Sequence, residues 1–365
     1  VKKLERKQFI MRWQTTEQIA TIPMRMVGPL RIAGPEVRGD IMVPLATFES
    51  PLWPSTHRGA KATLHAGGIK AVIIDDRMTR SVLLEADNIV DAQEALMNLQ
   101  QHKEAMQTII AETSRYARLL DMHTQMVGTL LYLRFEFNTG DASGHNMATL
   151  AADRLLEWIL VRFPTLKYVS ISGNYCSDKK VSAVNGILGR GKYVVAETVI
   201  SAELCQKLLK TTPEKIVQLN IKKNLIGNIL SGGLRTANAH FANMLLGFYL
   251  ATGQDAANII EGSQGIVYAE VRGNDLYFSV TLPNIIVGAV GNGKTYDFVR
   301  ENLRELGCLE EREPGQNARR LAILAACTVL CGELSLLAAQ TNPGELMKSH
   351  IKLERRKAGE GTHRG

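Results

Sequence analysis

Three charged residues stand together where an apolar run ends. In Val169-Ser-Ile-Ser-Gly-Asn-Tyr-Cys-Ser-Asp-Lys-Lys-Val181, a strand running into a Gly-Asn turn presents Asp178, Lys179 and Lys180. Two ammonium groups beside a carboxylate can hold a substrate carboxylate or a developing oxyanion. A solvated cluster of loop charges accounts for the same letters. Glu49, in Val43-Pro-Leu-Ala-Thr-Phe-Glu-Ser50, is a lone carboxylate just past an apolar strand. Such a group can have a raised pKa and donate a proton, or simply serve as a helix cap or first-turn charge. Asp255, in Gly253-Gln-Asp-Ala-Ala257, also reads as an ordinary acid at a helix start.

Two further segments suit anions. Asn138-Thr-Gly-Asp-Ala-Ser-Gly-His-Asn-Met147 reads as strand, glycine turn and helix start. Backbone amides at a helix start suit a pyrophosphate. The spacing is not GxGxxG, so an ordinary Rossmann site is not indicated. Gly288-Ala-Val-Gly-Asn-Gly-Lys294 resembles a phosphate loop without the Walker spacing. His350, in Lys348-Ser-His350, is a lone histidine on a basic tail, a setting that usually carries no function.

These residues need elements to position them. The pattern predicts a polar helix over residues 1–20, turns at Gly28-Pro29 and Gly34-Pro35, a strand over 41–48, a helix over 55–70 and a short strand over 71–75. Apolar spacing over 91–120 predicts one long amphipathic helix, and 130–137 alternates as a strand. A helix over 147–163 and a strand over 168–172 follow. Residues 223–251 read as one long helical region despite Gly227, Gly232 and Gly233. A hairpin turns at Arg272-Gly273-Asn274-Asp275, and an almost wholly apolar helix spans 318–340, to be buried on most sides.

The chain has 365 residues, enough for a large domain plus a smaller one. Apolar residues make up 45% and charged residues 22%, an ordinary soluble composition. Five cysteines at irregular spacing contain no CxxC pair, so no metal site or disulfide framework is expected, and reduced thiols are. Cys327 and Cys331 read as core residues. The formal charge of +7 fits small anionic ligands, and no aromatic-interleaved basic patch supports nucleic-acid binding. No membrane partner is expected: the best span, 321–340, is interrupted by Glu333, and the start, Val1-Lys2-Lys3-Leu4-Glu5, lacks a leader's apolar segment.

Taken in order, VPLATFE, NTGDASGHNM, SGNYCSDKK, NIKKNLIG, NAHFAN, GQDAAN and LMKSH resemble the successive signatures of the hydroxymethylglutaryl-coenzyme A reductases, from about Pro23 to His350. The likeness is closer to the class shared by eukaryotes and many archaea. It implies an α+β fold. A large mixed α/β domain (1–81 and 171–345), with a long central helix starting near Lys223, would bind substrate and coenzyme A. An inserted ferredoxin-like domain (82–170) would bind the nucleotide, and a mobile tail (346–365) would carry the histidine.

The resemblance also implies roles. Glu49, Lys179, Asp255 and His350 match the catalytic set. They would serve a four-electron reduction of 3-hydroxy-3-methylglutaryl-coenzyme A to mevalonate and coenzyme A by two NADPH, through a mevaldyl-coenzyme A hemithioacetal and mevaldehyde. Lys179, hydrogen-bonded to Asp255 and Glu49, would stabilise the oxyanion. Glu49 would supply a proton to the aldehyde, and His350 a proton to the departing thiolate. Arg80, Ser172, Asp178, Lys180, Lys223, His240 and Asn243 match substrate positions; Ser55, Arg58 and Lys210 match coenzyme A positions. Asp141, Gly144, Asn146, Val290 and Gly291 match the cofactor site. Ser114 and Arg115 match the adenosine 2′-phosphate position, the reason to expect NADPH over NADH. The family's sites form between subunits, so a cytoplasmic homodimer or higher homo-oligomer is expected.

There are departures from the family pattern. Phe48 and Ser50 flank the glutamate, His57 precedes the coenzyme A arginine, His145 replaces a methionine and Arg235-Thr236 replaces a glycine pair. The N-terminal dimer motif is absent around 14–18, and Arg356 stands where some eukaryotic members carry a regulatory serine. These leave room for an alternative: a paralogue reducing another acyl-coenzyme A, or one degrading mevalonate with NADH.

Overall fold

The computed structural model describes residues 19–348 and 351. Residues 1–18 of the helix expected over 1–20, His350 and most of the expected tail therefore lie outside the described residues, and Ile19 and Ala20 are not helical. Strands β1 (Met24–Ala33) and β2 (Arg38–Ala46) form an antiparallel hairpin. Its turn is at Gly34-Pro35, as expected. Gly28-Pro29 is no turn: it lies inside β1, where the ladder slips between Val27 and Leu30. Helix α1 (Leu52–His65) follows, then β3 (Lys70–Ala86).

The expected short strand at 71–75 is thus the first third of a 17-residue one. Asp75, Asp76 and Arg77 look like a loop in sequence, but the sheet neutralises them. Arg77 pairs with Asp75 and Glu136, and Lys192 Nζ lies 3.1 Å from Asp76 Oδ1. Residues 70–77 of β3 pair with β7 (Gly191–Ile200), while 78–85 pair with β5 (Leu130–Asn138) and 83–86 with β6 (Leu166–Ser170). One seven-stranded antiparallel sheet results, with path β4-β5-β3-β7-β9-β8 and β6 beside β3. Here β4 is Arg118–Val127, and β8 (Ile266–Arg272) and β9 (Asp275–Ile285) form the expected hairpin.

Two cores sit on this sheet. The smaller gathers Met78, Val82, Leu99, Ile110, Phe135, Phe137, Leu155 and Ile159. Its strands run β6-β3-β5-β4, and its helices follow the first and third of them in chain order. That is the ferredoxin-like split βαβ pattern. The long helix expected over 91–120 is two helices, α2 (Ile89–Gln101) and α3 (Lys103–Thr113), parted at His102. The apolar spacing carried past Ser114 into β4 and hid the change of period. Helix α4 (His145–Arg162) packs on the same sheet.

The larger core surrounds a 25-residue helix, α5 (Gln316–Gln340), apolar on every side and fully buried over most of its length. By length and composition α5 could cross a membrane, but 94% of its most apolar stretch is buried in the protein. This is the long central helix; the expected one at 223–251 is not continuous. A π-helical stretch (Asn220–Gly227) runs on through a short α-helical turn (Asn228–Leu230) to a break near Gly232-Gly233, and α6 (Phe241–Ala251) begins after His240. Cys327, Cys331 and the other three cysteines are buried and unpaired.

Glu333 explains why α6 starts where it does. It is a carboxylate with no exposed surface in the middle of α5. It accepts from the Ala239 and His240 backbone N–H groups at 2.9 and 2.6 Å, and lies 2.6 Å from His240 Nδ1. A helix start leaves backbone N–H groups without partners; here a carboxylate 93 residues away serves the cap residue His240 and its neighbour, while Phe241 N–H donates to Asn238 Oδ1 at 3.3 Å. Glu333→Ala is expected to cost about 3–5 kcal/mol, because it leaves several buried donors without an acceptor. Glu333→Gln keeps an acceptor and should lose less. Denaturant midpoints check this, and an unchanged midpoint for the alanine variant would refute the role.

Candidate active site

Lys179 and Asp255 meet at one end of a cavity of about 500 Å3. Lys179 Nζ lies 2.7 Å from Asp255 Oδ2, and both side chains are partly open, at 41% and 44% exposure. Lys179 sits in a left-handed conformation (φ 54°), and its backbone N–H donates to Glu261 Oε1 at 3.0 Å. The buried Glu261 thus fixes the turn that presents the ammonium. Asp255 opens a short 3-10 turn and accepts from Ala257 N–H at 3.1 Å. Its hydrogen bond to Asp255 raises the Lys179 pKa above the ordinary lysine value. Burial pushes the Asp255 carboxyl up, but the hydrogen bonds from Lys179 and Ala257 outweigh it and leave its pKa lowered. Both groups are charged at neutral pH, so the ammonium is a fixed cation facing the cavity.

In the same cavity, α4 begins after Gly144 with no side-chain cap. His145, Asn146, Val290, Gly291 and Lys294 continue the wall. The strand-to-helix turn and the 288–294 loop are pressed together: a Cβ on Gly288 would lie 2.3 Å from Ser143 N, and Ala289 N–H donates to Asp141 O at 2.8 Å. Only glycine fits such an approach. The Asp141 carboxylate accepts from Ala318 N–H at 2.9 Å, so it caps α5. His145 Nε2 is buried without a hydrogen-bond partner, 3.7 Å from Asp178 Oδ1. Burial, then Arg190, lowers its pKa, so the imidazole is neutral at pH 7.

Arg190 escaped the sequence reading. It is 1% exposed, donates to Asp178 Oδ1 at 2.5 Å and to Thr79 O at 2.6 Å, and so holds Asp178 against the cavity wall. No motif marked it; a lone arginine before a glycine has no signature. Arg80 also lines the cavity and donates to Ile171 O at 3.1 Å. Lys180 is exposed and bonds to Asp178 O, and Ser172 bonds through its backbone to Ser170; neither lines the cavity.

Glu49 stands apart. Its Oε2 accepts from Asn243 Nδ2 at 2.6 Å, beside the start of α6, and no hydrogen bond joins it to Lys179 among the described residues. The expected Glu49–Lys179 bond is therefore not made within one chain. His240 and Lys223 gather near the same helix start: burial lowers the Lys223 pKa, and the nearby Glu333 opposes that. Ser55 and Arg58 both reach Ser335 on α5, at 3.0 Å each. Lys210 lies 3.7 Å from Glu345, whose charge also acts on Arg58. The predicted residues thus fall into two groups, one around Lys179 and one around Glu49. Ser114 and Arg115 form a third position. Arg115 lies over the Tyr116 ring at 4.7 Å and lines a groove of about 360 Å3 with Arg118, Asn138 and Gly140. The groove and the main cavity flank the same 138–146 turn.

Residues 18–355 match the family model described as hydroxymethylglutaryl-coenzyme A reductase. The 3-hydroxy-3-methylglutaryl-coenzyme A reductase of Aeropyrum pernix is 44% identical over 336 residues, covering 92% of this chain and 79% of that protein. That of Pyrococcus abyssi is 45% identical, covering 88% and 79%. Among solved structures, the class II 3-hydroxy-3-methylglutaryl-CoA reductase of Streptococcus pneumoniae, bound to NADPH in open conformations, superposes with a TM-score of 0.71 at 17% identity, covering 90% of this chain and 87% of that one.

Proposed function

Because the chain belongs to the hydroxymethylglutaryl-coenzyme A reductase family, we propose that it reduces 3-hydroxy-3-methylglutaryl-coenzyme A to mevalonate and coenzyme A with two NADPH. The observation that carries the reading is the Lys179–Asp255 pair, open to a cavity also lined by a helix start with no side-chain cap. Backbone N–H groups there suit a diphosphate, and the unpartnered His145 Nε2 offers a further polar contact. Gly144, Asn146, Val290 and Gly291 would hold the nucleotide, with its adenosine end toward Arg115. Each NADPH bound there would supply one hydride, so two would bind in succession.

The chain's own residues supply charge and protons. The Lys179 ammonium stabilises the oxyanion that forms as the thioester carbonyl, and later the aldehyde, is reduced. Asp255 holds that ammonium in place and charged. Glu49 serves as the proton source for the aldehyde, and His350, outside the described residues, for the coenzyme A thiolate. Arg80 and Asp178, with Lys223 and Asn243, meet the acyl group's carboxylate and hydroxyl. Ser55, Arg58 and Lys210 meet coenzyme A.

The reading includes a cytoplasmic homodimer. Five unpaired cysteines suit a reducing compartment. The separation of Glu49 from Lys179 and the exposure of Phe48, Ile229 and Leu230, at 75%, 76% and 82%, support a second copy that brings one chain's Glu49 to the other's Lys179.

The test is consumption of NADPH with 3-hydroxy-3-methylglutaryl-coenzyme A, with NADH in parallel. Turnover with neither would sink the reading; faster turnover with NADH would overturn the cofactor assignment. Arg115→Ala is expected to raise KM for NADPH roughly tenfold or more, the loss of one charge-assisted contact. KM for NADH should stay the same. Equal effects on both would remove Arg115 from the 2′-phosphate.

A further inference from the structure

Lys294 is a cation with no counter-charge. It closes the Gly291-Asn292-Gly293-Lys294 loop and lines the cavity beside Gly291 and Asn292. Its ammonium donates to Gly253 O at 2.5 Å and to Asn292 O at 3.4 Å. Both acceptors are neutral backbone carbonyls, and no carboxylate pairs with it among the described residues. Lys179, in the same cavity, has Asp255, and Arg190 has Asp178. Withdrawing an ammonium from water without a carboxylate is costly, and a bound anion would offset that cost.

The loop that carries Lys294 is fixed without it. Gln254 Nε2 donates to Gly288 O at 3.1 Å, and Gly288 N–H donates to Gln254 Oε1 at 2.9 Å. A Cβ on Gly293 would lie 2.4 Å from Gly253 O, so the loop and the turn before Asp255 are in backbone contact. The ammonium is therefore delivered to a set place in the wall.

We propose that Lys294 is a binding residue that contacts a phosphate of the nucleotide held in this cavity. The proposal rests on the cofactor reading above. It adds a cationic contact that makes nucleotide affinity depend on pH. Burial pushes the Lys294 pKa down to about 8, so its charge is lost as pH rises through that value in the free enzyme. The other titratable groups lining the cavity do not change charge between pH 7 and 9. His145 is already neutral, Lys179 is raised, and Asp178 and Asp255 are lowered. Arg80 and Arg190 also face it, and arginine keeps its charge in this range.

The experiment is a fluorescence titration of the full chain with NADPH at pH 7 and pH 9, for the natural protein, Lys294→Met and Lys294→Arg. Binding of 3-hydroxy-3-methylglutaryl-coenzyme A and competition by inorganic diphosphate are measured in parallel. At pH 7, Lys294→Met should weaken NADPH roughly ten- to a hundredfold, the range for a charge-assisted hydrogen bond. It should also lose competition by diphosphate and leave the acyl thioester's affinity unchanged. The natural protein should weaken toward the methionine variant at pH 9, and Lys294→Arg should not. Unchanged NADPH affinity in Lys294→Met overturns the proposal. So does a loss confined to the thioester, which would assign the ammonium to the substrate carboxylate. A natural protein that binds no NADPH at pH 7 would overturn the cofactor reading itself.

Discussion

Lys179→Ala is expected to lower kcat by about a thousandfold or more while the protein stays folded. Removing one preorganised oxyanion donor costs about a hundred- to a thousandfold, and this donor carries a full charge held 2.7 Å from Asp255. Stability should change little, because an ion pair this exposed contributes roughly 0–1 kcal/mol. The turn itself is kept by the Lys179 backbone N–H on Glu261, which alanine preserves. Steady-state kinetics and a thermal melt on the same sample test both statements. A variant with half its activity would remove Lys179 from the chemistry. Asp255→Asn should fall less, since it leaves the ammonium present but poorly held. The Asp255 carboxyl is lowered, so its contribution is present above the ordinary carboxylate range and lost only as pH falls below it. An acid limb near neutrality would belong to another group.

The second large effect concerns two inactive proteins that work together. Glu49→Gln and Lys179→Ala should each be nearly inert alone. If the two groups meet across a subunit boundary, a mixed dimer carries one doubly damaged site and one intact site. Random pairing makes half of the dimers mixed, so co-expression should recover about a quarter of the natural activity. The motive is that Glu49 bonds to Asn243 and not to Lys179 within the chain. Activity that stays at background in verified mixed dimers would place both groups in one subunit.

Much of this was legible in the letters, for reasons that can be named. The β8–β9 hairpin and α5 were readable because alternation and an all-round apolar run are strong local patterns. Strand β3 was cut short because its charges at Asp75 to Arg77 are neutralised by partners at 136 and 192, which no local window contains. The break before α6 was missed because the acceptor for the Ala239 and His240 N–H groups at its edge comes from the distant Glu333. The same holds in the cavity. Glu49, Lys179 and Asp255 were singled out through resemblance, each being ambiguous alone. Arg190, Glu261 and Lys294 matter through burial and missing or distant partners, which only the folded arrangement reveals.

The central helix also sets the order in which the molecule can be built. Gly59 on α1 lies so close to α5 that a Cβ would sit 2.0 Å from Cys331 O, and the larger core closes around residues 321–338. Among the described residues, the buried part of the smaller core comes from Met78 to Leu166 apart from Ile286, with Ile171 packed against it. During synthesis the smaller module can close as soon as that stretch leaves the ribosome. The larger core must wait for α5, more than 140 residues further along the chain than Leu166, which takes on the order of ten seconds or more at ribosomal speeds. In that interval α1 has the β1–β2 hairpin to pack on, but its face toward α5 stays uncovered. Chaperone dependence and truncation-induced aggregation should concentrate there, and nascent chains stalled before residue 316 should show a folded small module on an unprotected scaffold.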